Sequence, residues 1–135
     1  MSMAKQESID TKMQRIAEVA KSVAITLEDL RRADMKILDL SLTYHWYDEI
    51  EAGRKPEEYR SNTPFYRSRL MYPESSEEVW KHYDAIRFRR GRFGKRTMLV
   101  EHKGTRLGVG NPEWGAPEDK EVFILELGKV ICKEE

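Results

Sequence analysis

The chain has 135 residues, 36% charged and 39% hydrophobic, and its 24 basic side chains are balanced by 24 acidic ones. That size suits one domain burying roughly two-thirds of the surface its unfolded chain exposes, and a net charge of zero argues against indiscriminate binding to nucleic acid. No apolar run approaches the roughly 20 residues of a membrane-spanning helix, the polar N-terminus lacks the apolar stretch of a signal peptide, and the single cysteine, Cys132, excludes an internal disulfide or a cysteine-based zinc site, so a cytoplasmic setting is expected.

Residues 1–34 read as an N-terminal helical extension, set apart from a domain over 35–135. Ile9, Met13, Ile16, Ala20, Val23, Leu27 and Leu30 recur at spacings of four and three, the seam of an amphipathic helix. Thr26 and Asp29 suit a capping box, which would split the segment into two helices. The seam is short for a coiled coil and Ala20 weakens it, so docking on its own domain is the expected outcome. A homodimer through this helix is the rival one.

At Met35 the period changes. Leu38, Leu40 and Leu42 alternate with Asp39, Ser41 and Thr43, which predicts a strand with one buried face. Tyr44 to Ala52 suits a short helix closed by Gly53. Trp46 shares a face with Ile50 and is expected in the core, which leaves Tyr47 to stack on a base or offer its hydroxyl. Lys55 to Arg60 resumes an extended pattern, and Pro56 confines it to an edge because proline cannot donate to a ladder. Thr63-Pro64 opens a second helix, with Tyr66 and Leu70 on its buried side. Ser75 and Glu78 suggest a capping box for a third helix ending near Tyr83.

The remainder reads as strands: Ile86 and Phe88 alternating with arginines, Thr97 to Glu101 with Thr105 to Val109, and Val122 to Ile131 with Gly128 as a bulge. Gly108 to Lys120 is loop. Five or six short strands with interposed helices predict an α+β domain whose strands pair antiparallel or close on themselves.

Charge is uneven along the chain. Residues 60–106 hold 12 basic and 5 acidic side chains, and residues 87–96 hold six bases and no acid. Such a patch attracts phosphates even in a neutral protein unless acids elsewhere pair with it, the acidic C-terminal third being the expected source.

The densest mixed cluster is Gly53-Arg54-Lys55-Pro56-Glu57-Glu58-Tyr59-Arg60. Written Gly-x-Lys-x-x-Glu-x-Arg, it resembles the defining motif of the ASCH domain family. The resemblance extends through Lys36–Leu42, Trp46–Ile50, Arg87–Arg89, Met98–Glu101, Glu113–Gly115 and Leu127–Ile131, and is nearest the compact versions common in bacteria and their phages. It implies a PUA-like β-barrel of five to six strands with short rim helices, and a cleft between the barrel and the helix before the motif. Family members are generally proposed to bind RNA. Some resemble amidohydrolases of N4-acetylcytidine, and others are reported as ribonucleases. The amidohydrolases carry a threonine three residues after the motif lysine, where this chain has Glu58, and a carboxylate does not replace a hydroxyl nucleophile.

Two readings follow. In the first, the domain binds RNA or a nucleotide through a basic cleft, with Arg60, Arg87, Arg89 and Arg92 as phosphate contacts and Trp114 as a stacking platform. In the second, Lys55, Glu58, Glu113 and Tyr47 supply proton transfer in a hydrolase. Lys55 and Glu58 nominally face opposite sides of an extended strand, so a kink must join them, whereas Glu58 and Arg60 share a side and suit an ion pair. Gly53 is structural. No cofactor is expected, and His45, His82 and His102 lack metal-ligand spacing.

Overall fold

The computed structural model describes residues 8–20 and 35–135. In chain order these form α1 (Ile9–Ala20), β1 (Ile37–Leu42), α2 (Tyr44–Glu51), β2 (Glu57–Arg60), α3 (Pro64–Leu70), β3 (Ala85–Arg90), β4 (Thr97–Val109), a short 3-10 turn at Pro112–Trp114, and β5 (Glu121–Glu134). The class is α+β. One mixed sheet has the order β1-β3-β4-β5-β2. Its strands alternate as the sequence predicts: Leu38, Leu40, Leu42, Ile86, Phe88, Met98, Val100, Phe123 and Leu125 face one core, which Tyr47, Ile50 and Leu70 fill from the helices.

Hydrogen bonding places β1 and β2 at the two edges of the sheet. One expectation about pairing is corrected. The pair β1–β3 is parallel; residues 43–84 between them carry α2, β2 and α3, a connection long enough for one crossover. The other pairs are antiparallel. The β4–β5 ribbon slips register between Val100 and His102, where Val100 faces Val130 and His102 faces Leu127. Gly128 lies in that slip with its missing side-chain position filled by Glu101, so the expected bulge is present.

The helix expected from Ser75 and Glu78 does not form. Glu74 to Glu78 offers no apolar side chain to a core, and Val79 is itself 52% exposed. The segment turns instead: Ser76 N donates to Pro73 O, Glu78 N donates to Ser76 Oγ, and a bridge between Met71 and Trp80 closes the loop.

The described part of the N-terminal segment is docked on the domain. Ile9 packs against Met35, Ala85 and Leu99 on the far side of the sheet. Lys12 Nζ reaches the buried Asp84 carboxylate at 2.8 Å. The same carboxylate accepts from Lys36 N at 2.9 Å and lies 2.9 Å from His82 Nε2. Val23, Leu27, Leu30 and the Thr26–Asp29 cap lie outside the described residues. Among the described residues no helix is long and apolar enough to cross a membrane.

Candidate functional site

The motif is built as an interior ionic cluster. Gly53 ends α2 at φ +80°, a left-handed conformation that glycine adopts without strain. Arg54 turns outward to Glu49, while Lys55 turns inward. Lys55 precedes β2, so strand alternation does not apply to it, and Pro56 gives up only a donor: its carbonyl still accepts from Leu127 N at 3.0 Å. The kink brings Lys55 Nζ within 3.5 Å of Glu58 Oε1, with both side chains buried. Glu58 Oε2 meanwhile accepts from Arg60 Nε at 2.9 Å. Arg60 also donates to Tyr66 Oη and to Ser41 O, each at 2.8 Å. Its guanidinium therefore reaches from β2 to a backbone carbonyl of β1 and ties the two edges of the open sheet.

Lys55 has further company. Its ammonium donates to the carbonyl of Trp114 and lies 4.8 Å from the centre of the Trp46 ring and 4.6 Å from that of Tyr59. Burial pulls its pKa below the usual lysine value, against the opposing pull of Glu58. The loop that supplies the Trp114 carbonyl is fitted to the same rings. A side chain at Gly110 would strike Tyr59, and one at Gly115 would strike Trp46. Tyr59 Oη accepts from Asn111 N at 3.1 Å and donates to Glu57 Oε1 at 2.7 Å, and burial pushes its pKa up to about 12. Lys55, Glu58 and Arg60 carry two positive charges and one negative, bordered by the rings of Trp46, Tyr59 and Tyr66.

The expected roles of Trp46 and Tyr47 are exchanged. Tyr47 is fully buried, and its hydroxyl is enclosed with no hydrogen-bond partner; burial, then Glu51, raises its pKa. Trp46 is only partly buried and walls Lys55. Both lie within a helical turn of Ile50, so the wheel alone could not separate them. Gly115 held the missing signal, since a glycine in a loop often marks a close approach.

The remaining predicted residues disperse. Glu113 is exposed and lies on the 3-10 turn, where its backbone N donates to Asn111 Oδ1. Trp114 takes part through its carbonyl, with its ring half-buried. Arg87 pairs with Asp39 across the β1–β3 register, and Arg89 donates to Gly94 O at 2.8 Å. With Leu40 and Ser41 these residues line a hollow of only about 80 Å³, well below the roughly 300 Å³ at which ligand pockets begin. Arg90 pairs with Asp48 and Arg96 with Glu51. The acids that neutralise the basic segment thus come from β1 and α2, not from the C-terminal third. Among the described residues no ion pair takes Arg92 or Lys95, and no three His, Cys, Asp or Glu side chains converge on a metal-sized site.

Comparison of the chain with protein-family models, curated proteins and solved structures returns no match.

Proposed function

We propose that this chain is a cytoplasmic RNA- or nucleotide-binding module of the ASCH type, a PUA-like barrel whose seam is bridged by side chains. The observation that carries the reading is the motif cluster. Two cations share one carboxylate, and the Lys55 ammonium lies against the rings of Trp46 and Tyr59. A surplus positive charge beside aromatic faces is the complement of a phosphorylated base. The Arg60 bridge from β2 to Ser41 O supports the barrel assignment, because it spans the gap that closure would fill. Titration with uridine and cytidine monophosphates, followed by tryptophan fluorescence, tests the reading. Saturable binding is expected, and Lys55→Met should abolish it in protein that remains folded. Unchanged affinity in that variant overturns the assignment of this site.

A hydrolase acting on a modified nucleoside, or a ribonuclease, is the second reading. It is favoured by the buried Lys55, whose pKa burial lowers and which sits 3.5 Å from a carboxylate. That pair has the composition of a proton-transfer couple. Incubation with N4-acetylcytidine and with RNA, read by chromatography, separates the two. Product formed by the wild type and not by Lys55→Met selects the hydrolase.

A further inference from the structure

The turn between β3 and β4 has no part in the motif cluster, yet it is constructed with care. Gly91 N donates to Leu42 O at 2.7 Å, and Arg90 N to Arg96 O at 2.9 Å, so both ends of the turn are anchored. Gly91 has φ +81°, and a side chain there would come within 2.6 Å of the Tyr44 ring. Only glycine lets this turn close over that tyrosine.

Tyr44 and Asp48 are one helical turn apart on α2. Asp48 grips Arg90 with both oxygens, at 2.9 and 3.0 Å. The guanidinium so fixed lies 4.5 Å from the centre of the Tyr44 ring. Tyr44 is nevertheless 61% exposed and Phe93 is 88% exposed. Beside Tyr44 runs a groove of about 410 Å³ lined by Leu42, Thr43, Tyr44, Gly91 and Arg92.

We propose that this turn and Tyr44 form a contact surface for single-stranded nucleic acid, with bases stacking on Tyr44 and Phe93 and phosphates meeting Arg92 and Lys95. Charge decides the occupant. Arg87, Arg90 and Arg96 are matched to carboxylates and Arg89 to a backbone carbonyl. Among the described residues, Arg92 and Lys95, which flank the exposed phenylalanine, have no carboxylate partner. Aromatic faces interleaved with uncompensated cations match the alternation of base and phosphate along a flexible strand. A duplex would offer no free base face to either ring. The groove also exceeds the hollow beside Arg87 and Arg89 about fivefold.

The proposal deepens the RNA reading by naming the form of nucleic acid, and it uses residues that the motif cluster does not. Its test is fluorescence anisotropy with a labelled single-stranded uridine oligonucleotide, alongside uridine monophosphate as the probe of the motif site. Phe93→Ala and Tyr44→Leu should each weaken oligonucleotide binding about tenfold. Arg92→Gln with Lys95→Gln should also lower the slope of log affinity against log salt by about 1.4, since two fewer phosphates are neutralised. All these variants should bind the mononucleotide as the wild type does and keep its unfolding midpoint. Oligonucleotide affinity and salt slope unchanged in the turn variants overturn the proposal, as does a wild type that binds no oligonucleotide. Loss of mononucleotide binding in Lys55→Met bears on the motif site alone. If the wild type binds no mononucleotide while its oligonucleotide binding depends on the turn, the motif reading fails and this one stands.

Discussion

The Lys55–Glu58–Arg60 cluster and the 91–96 turn are equally conspicuous in the sequence as runs of charge, and the fold treats them in opposite ways. In the first, every charged group is buried or nearly so and faces another within the cluster. In the second, the cations at the tip stand in solvent beside an exposed phenylalanine. The difference lies in what surrounds each run. Acids at Glu58 and within reach on α2 and β1 pair with most of the bases, whereas Arg92 and Lys95, beyond their reach, stand in solvent. Buried charge organises a structure at a high energetic stake, whereas exposed charge contributes little to folding.

The contrast can be broken most directly at Glu58. Glu58→Gln leaves two buried cations facing each other, and should cost about 3–5 kcal/mol of stability in urea unfolding. A loss below about 1 kcal/mol would mean that the cluster behaves like surface. Asp84 holds the second buried pair and sharpens the same point. Asp84→Asn should cost about 2–3 kcal/mol at neutral pH, the usual worth of hydrogen bonds to a charged group.

Asp84 also predicts a pH dependence. Burial pushes its pKa up, but Lys12, the Lys36 N–H and His82 outweigh that and hold it below the ordinary carboxylate value. The folded state therefore binds its proton less readily than the unfolded chain does. The contribution is complete above a pH of about 4 and fades as the pH falls through the folded value. The difference in melting temperature between wild type and Asp84→Asn should accordingly persist to about pH 4 and close below it. A difference that closes between pH 7 and 5 would assign it to another group.

Lys55→Met should cost less than either, about 1–2 kcal/mol. Glu58 keeps Arg60, and the main loss is the partner of the Trp114 carbonyl. Combined with Glu58→Gln the effects should fall short of additive, since both act on one pair. Strict additivity would separate the two residues. At the small end, Arg92→Gln with Lys95→Gln should leave the unfolding midpoint within about 0.5 kcal/mol of the wild type. A larger drop would show that the tip of the turn belongs to the folded framework after all.

Most of the framework was legible because it depends on local pattern. The leucines of β1, the arginine alternation of β3, the proline that opens α3 and the glycine that ends α2 act on their immediate neighbours. The site was legible only in composition. Glu58 and Arg60 share a strand face, and their pairing follows from spacing; that Lys55 joins them depends on where β2 begins. Tyr44 and Phe93 were passed over because exposed aromatics look like core residues until the fold is known. The exchange of Trp46 and Tyr47 has the same origin, since the contact that decides it comes from a loop far along the chain. The failed helix at 75–83 is a different lesson: a capping box is only as good as the apolar face behind it.

The sheet order has a consequence for how the chain is made. Among the described residues β2 pairs only with β5, Lys55 is held by a carbonyl at residue 114, and the carbonyl of Pro56 is satisfied by Leu127. During synthesis the motif emerges early, with Ser41, Trp46 and Tyr66 close by in the chain, yet its partners on β5 and at Trp114 emerge late. Meanwhile β1, α2 and α3 wait beside an unoccupied edge, and contacts of such long sequence separation form slowly. The pairing of the motif strand is thus among the last parts of the nascent domain to form, so a ribosome-bound chain arrested before β5 would carry the whole motif without the strand that β2 pairs with.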